Sequence, residues 1–194
     1  VILQTGSKGK DAVTLGRELI LKFHGLRGLF KASLSELQEI KGLGPAKIAK
    51  LLAAVAIAQR TAREELLGNH YSEKETNLFD YLSSSMRDAQ KECFKAVFLD
   101  KAGRILSIDE MSTGTIDETA VYPREIIRRA LELNACGIVF IHNHPAGSLK
   151  PSRHDLVVSD RLRAACSAVD ITAIDHLIVC PSGIISVNKI KSKL

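Results

Sequence analysis

A chain of 194 residues, 45% hydrophobic and 25% charged, has room for one medium domain or two small ones and the balance of an ordinary globular protein. Trp is absent and aromatics make up only 5%, which argues against base stacking on aromatic platforms, and the longest apolar run, Leu51 to Ala58, is far too short to span a membrane. The net charge of +5 lies wholly in residues 1–70, with eleven Lys/Arg against six Asp/Glu, while residues 71–194 carry sixteen of each. This asymmetry suggests a polyanion for the first third, although charge alone favours a solvated, mildly basic helical surface.

The chain opens on Val-Ile-Leu-Gln without an initiator Met, so further residues are expected upstream. The stretch Thr5-Gly-Ser-Lys8-Gly-Lys10 is rich in Gly and Lys but lacks the spacing of a nucleotide-binding P-loop. From Asp11 to about Leu67 the pattern is helical, with Leu15, Leu19 and Ile20 expected on one face. Ser33 and Glu36 form a capping-box pair that starts a helix running to Lys41, and Pro45 stands in the first turn of the next. That helix reaches Leu66 or Leu67 and stops at Gly68-Asn69-His70, which sets the expected boundary: a helical domain over 1–70 and a second domain over 71–194.

The turn between these two helices, Lys41-Gly42-Leu43-Gly44-Pro45, resembles a helix-hairpin-helix motif. Glycine permits a tight turn and lets phosphate approach the backbone N–H groups at a helix N-terminus. Leu43 would be the apolar plug, and Lys41, Lys47 and Lys50 would neutralise neighbouring phosphates. Ile48 departs from the pattern, which usually has a small residue there. The implied partner is DNA, held by its phosphate backbone through residues 1–70 and without sequence readout. The competing reading is an ordinary helical pair whose Gly-Leu-Gly turn serves packing alone.

After Ser72 the periodicity changes. A helix is expected from Thr76 to about Ala89, then strands over Phe94–Leu99 and Arg104–Asp109 around the turn Asp100–Gly103. Pro123 to Asn134 reads as helix, Cys136 to His142 as strand and Ser152 to Val169 as helix. Leu177–Cys180 and Ile184–Val187 read as strands around Pro181-Ser-Gly183. Such an alternation predicts an α/β fold, a mixed sheet flanked by helices, behind a small all-α N-terminal domain. Cys93, Cys136, Cys166 and Cys180 form no Cys-x-x-Cys pair and lie in or beside apolar stretches, as reduced core thiols of a cytoplasmic protein would.

The informative stretch is Ile141-His142-Asn143-His144-Pro145 through Ser152-Arg153-His154-Asp155. Two histidines spaced i, i+2 on a strand point the same way and can grip one ion together. Asp155, one turn into the following helix, can swing back as a third donor. Two imidazoles and a carboxylate leave a fourth position open on Zn2+, as catalysis by a bound water requires. His154 falls on another helix face and is expected to be exposed. His176, after Asp175, is expected to be a buried structural pair rather than a ligand, with support of a ligand from behind the lesser possibility.

His-x-His, seven residues, Ser, two residues, Asp is similar to the signature of the JAMM (MPN-plus) metalloproteases, with every fixed position matched: His142, His144, Ser152 and Asp155. The surrounding His-Asn-His-Pro-x-Gly, with Phe98-Leu-Asp100, Pro123-Arg124-Glu125 and Asp175-His176, more narrowly resembles the bacterial RadC family, and the resemblance covers nearly the whole chain. It implies a JAMM/MPN-like domain with cytidine-deaminase-like layering. It also implies a zinc-dependent peptidase or isopeptidase acting on a protein or peptide substrate, Glu92 as the base that activates water, and Ser152 as a donor to the oxyanion. Glu110, Glu118 and Glu125 are rivals for the role of Glu92. Proteins resembling RadC are often labelled as DNA repair proteins, a process that no residue here displays. The alternatives are a DNA-associated zinc-binding interaction module without hydrolysis and, less favoured, a metal-dependent nuclease.

Overall fold

A computed structural model describes residues 2–73, 75–113 and 121–191. The chain falls into two compact units, Val1–Thr61 and Ala62–Leu194, divided within a helix and not at the Gly68–His70 stop.

The first unit contains α1 (Ala12–Lys22), α2 (Leu26–Lys31), α3 (Leu34–Gln38) and most of α4 (Pro45–Glu64). Asp11 caps α1 by accepting the N–H groups of Val13 and Thr14 at 2.8 Å each. Ser33 and Glu36 form the expected reciprocal box at α3. Leu15, Leu19, Leu29, Leu37, Leu43, Ile48 and Leu51 share one core. Ile20 is 40% exposed: at 100° per residue it lies well off the Leu15–Leu19 stripe. The continuous helical pattern is also interrupted, because His24 (φ 55°) and Gly25 (φ 117°) take left-handed conformations that end α1.

In the second unit Arg63 donates to the Ile108 carbonyl at 3.2 and 3.0 Å, and Leu66 is fully buried. Gly68 and Asn69 pair through their backbones with Ile105. A 3₁₀ turn at Tyr71–Glu73 precedes α5 (Glu75–Met86), β1 (Cys93–Leu99), β2 (Ile105–Thr113), α6 (Pro123–Glu132) and β3 (Gly137–Asn143). Next come α7 (Arg153–Ser167), β4 (Thr172–Cys180), β5 (Gly183–Ser186) and α8 (Val187–Lys191). The five strands form one sheet in the order β2-β1-β3-β4-β5, mixed because β3 and β4 are parallel and the other pairs antiparallel.

β1 and β3 are buried on both faces, so their sequences are largely apolar, with Lys95 in β1 and His142-Asn143 at the end of β3 as the polar exceptions. Cys93, Val97, Leu99, Val139 and Ile141 meet Leu78, Tyr81, Leu82 and Met86 of α5. Phe94, Ala96, Phe98, Ile138 and Phe140 meet Ile126 and Ala130 of α6 and Leu162 and Cys166 of α7. β4 begins at Thr172, well before the expected Leu177, because its first four residues are only partly covered and include polar Asp175. Among the described residues no helix is long and apolar enough to cross a membrane. Of the four thiols, Cys93, Cys166 and Cys180 are buried, whereas Cys136, expected in the core, is exposed just ahead of β3.

Candidate functional site

His142 is the penultimate residue of β3 and His144 lies just beyond the strand, so the alternation of side chains sends both imidazoles to one face. Asp155 comes from the first turn of α7. Its placement follows from a capping box in which Asp155 N–H donates to Ser152 Oγ at 3.1 Å and Ser152 N–H donates to Asp155 Oδ2 at 2.6 Å. Ser152 is therefore the residue before the helix and not part of it, and its hydroxyl hydrogen remains available to a substrate.

The three residues offer ligand atoms that all lie within 4.8 Å of one another. His142 Nε2 is 3.2 Å from Asp155 Oδ1 and His144 Nε2 is 3.3 Å from Asp155 Oδ2, with the two Nε2 atoms 2.9 Å apart. The opposite ring nitrogens are engaged elsewhere. His144 Nδ1 donates to the Ser148 carbonyl at 2.8 Å, and His142 Nδ1 is 2.8 Å from His176 Nε2. A histidine whose outer nitrogen is tied down has its tautomer and ring orientation fixed, and here both rings present Nε2 to a common point. This donor set fits a metal ion.

Electrostatics follow the geometry. Burial pushes the Asp155 carboxyl up, but hydrogen bonds from His142 and His144 outweigh it and hold the group far below the ordinary carboxylate range. The Asp155 hydrogen bond raises His144 above the usual imidazole value, against the effect of burial and with help from the Ser148 carbonyl. Burial raises the Glu92 carboxyl, a shift that charge on His142 and His144 partly offsets.

A cavity of about 600 Å³ contains this cluster; Glu92, Phe94, Val121, Ser152 and Val158 line it together with the three donors. Of the glutamates weighed as base, Glu92 is on its wall. Glu110 is exposed on β2, Glu125 is paired with Arg124 and Arg128 on α6, and Glu118 lies outside the described residues. His154 is exposed, at the cavity rim. His176 is buried as expected, but its partner is His142: Asp175 Oδ1 instead accepts from the His176 backbone N–H and from Ser186 Oγ. This supporting role depends on the parallel pairing of β3 with β4, which sets His176 opposite Phe140 and diagonal to His142 and which residue spacing along the chain does not display.

In the first unit, Gly42 takes φ 91°, and a Cβ there would lie 2.5 Å from that of Ser7, so the turn requires glycine. Gly44 has open space where a Cβ would go, and its carbonyl accepts the first N–H groups of α4, from Lys47 at 2.9 Å and Ile48 at 3.1 Å. Leu43 is buried beneath the turn, and Ile48 joins the same core. Lys41 is exposed. Lys47 Nζ donates to the carbonyls of Gly6 at 2.8 Å and Gly42 at 3.0 Å, and Lys50 Nζ donates to Gln4 Oε1, so both amines bond within the unit.

Comparison with known proteins agrees with the fold. Residues 72–192 match the family model described as RadC-like JAB domain, and residues 1–49 match the one described as UPF0758 N-terminal. A UPF0758 protein of Nitrosospira multiformis is 40% identical over 179 residues, covering 92% of this chain and 80% of the relative. One from Shewanella loihica is 39% identical over 186 residues (96% and 83%), and one from Pseudomonas fluorescens is 41% identical over 179 (92% and 80%). A JAB domain that carries a cluster able to hold a metal points to metal-dependent hydrolysis of the JAMM type. On a family model that spans most of its length and relatives aligned along nearly all of it, this chain belongs to the RadC-like JAB domain family.

Proposed function

We propose that the protein is a zinc-dependent peptidase or isopeptidase that works at DNA. The observation that carries the hydrolytic reading is the convergence of His142 Nε2, His144 Nε2 and an Asp155 oxygen within 4.8 Å, in a cavity whose wall also holds Glu92. His142, His144 and Asp155 would hold the ion. When bound, zinc would polarise the scissile carbonyl and bring the pKa of a water towards neutrality. Glu92, no ligand in this scheme, takes the proton of the attacking water and passes it to the leaving amine, so that an amide and water become a carboxylate and an amine. Its burial makes it a stronger base than an ordinary carboxylate. The Ser152 hydroxyl donates to the oxygen on which charge develops. Phe94, Val121 and Val158 supply apolar walls against which a peptide can pack.

The DNA reading is supported by the net positive charge of residues 1–70, the exposed Lys41 and the unobstructed backbone at Gly44. Three buried thiols suit a reducing compartment, the cytoplasm.

Elemental analysis should find about one zinc per chain. A panel of peptide and isopeptide substrates should then show cleavage that a chelator removes and zinc restores. One zinc per chain with no cleavage across the panel would replace the enzyme by a zinc-holding interaction module.

A further inference from the structure

The residue between the two histidines is Asn143, the last of β3 and 1% exposed. The backbone ladder between β1 and β3 runs from Leu99 opposite Gly137 to Phe94 opposite His142 and stops there. At the next rung a side chain takes over. Cys93 N–H donates to Asn143 Oδ1 at 2.7 Å, and Asn143 Nδ2 donates to the Lys91 carbonyl at 3.1 Å. These two backbone groups stand immediately after and immediately before Glu92. In an extended chain they point to the same edge, so one carboxamide, with an acceptor and a donor side by side, satisfies both.

We infer that Asn143 is a positioning residue whose carboxamide clamps the backbone on either side of Glu92 and so fixes that carboxylate relative to His142 and His144, its own chain neighbours. The clamp ties the base to the strand that bears the ligands, so the two keep their spacing when the cavity walls shift. An aspartate keeps the acceptor for Cys93 but turns a second oxygen towards the Lys91 carbonyl; a leucine keeps the volume and neither bond. The bond to Cys93 is buried and the one to Lys91 partly so, and losing them leaves backbone unsatisfied, above all the buried Cys93 N–H, and frees the segment.

The inference rests on Glu92 as the base, and the experiment separates the two claims. In the zinc-loaded full chain, Asn143→Leu is expected to hold zinc within about threefold of the parent affinity, because no ligand is touched. The Cys93 amide should exchange its hydrogen at least about tenfold faster, the scale of one buried hydrogen bond. On a cleaved substrate kcat should fall with KM unchanged, and the double variant Asn143→Leu/Glu92→Gln should be no slower than Glu92→Gln alone, because both act through one carboxylate. An unchanged Cys93 exchange rate overturns the clamp. So does an additive double variant, which would make Asn143 act independently of Glu92. Full activity in Glu92→Gln instead overturns the base assignment and leaves the clamp, read at the Cys93 amide, standing. If Asn143→Leu does not fold, the near-isosteric Asn143→Asp carries the same comparison, with kcat expected between the parent and Glu92→Gln.

Discussion

At the scale of single residues, each donor has its own support, and the supports can be tested separately. His144→Ala or Asp155→Ala should abolish zinc binding, as read by metal content after dialysis; full occupancy in the double variant His142→Ala/His144→Ala would show that the ion sits elsewhere. His176 is buried, and its Nε2 fixes the His142 ring from behind. His176→Ala should therefore weaken zinc by about ten- to a hundredfold in a chelator competition, and His176→Gln, which can still accept a hydrogen bond, should recover part of the loss. The cluster also sets a dependence on pH. His144 is raised above 6.5, so its contribution to stability is complete below that value and is lost as pH rises through its folded pKa. Asp155 is lowered from 3.8, so its contribution is present above that value and lost only as pH falls through its folded pKa. Stripped of metal, the protein should melt at a higher temperature near about pH 6 than near about pH 8 as far as this cluster decides. Zinc needs neutral imidazoles, so the loaded protein should show the opposite change. Melting curves at the two pH values with chelator and with zinc check the sign of each.

At the scale of elements, the start of α7 is the most economical feature: Ser152 and Asp155 cap the helix with the same groups that face the cavity. Ser152→Ala should cost about 1 kcal/mol of stability in denaturant melts and also weaken zinc, because Asp155 loses its tether. Full stability and full zinc affinity in that variant would contradict the coupling. Most elements could be read from the sequence because local rules governed them: the Ser33–Glu36 box, Pro45 and Pro123 at helix starts, and the apolar runs of β1 and β3. The donors were readable because their spacing is itself local, two residues along a strand and one turn into a helix. The partners of His176 and Asn143 were hidden, since both depend on which strand lies beside which. The early half of β4 and the outward turn of Ile20 were missed where half-covered positions blur the periodicity.

At the scale of the whole molecule, the division inside α4 changes how the two parts should be separated. Leu66 fills the core of the second unit, and Arg63 bonds to Ile108. A fragment over 62–194 should therefore be more stable than one over 71–194 by at least about 2 kcal/mol, the cost of losing a buried leucine, as equilibrium unfolding would show. The longer fragment should bind zinc and leave duplex DNA unbound at a salt concentration where the full chain binds it. For the full chain, log affinity should fall steeply with log salt, and Lys41→Ala should flatten that slope by about one unit. Lys47→Ala should instead destabilise the first unit, because that amine fastens Gly6 to Gly42. DNA binding by the fragment equal to that of the full chain would move the nucleic-acid site out of residues 1–61. The uneven burial of the cysteines, lastly, gives the molecule a built-in integrity gauge. Cys136 is exposed, while the Cys93 and Cys166 thiols are pushed up to about 11 by burial and Cys180 is fully buried. A thiol-reactive dye should thus take one equivalent per native chain and four per unfolded chain, so any variant described above can be checked for a closed sheet by titrating its sulfur before its zinc is measured.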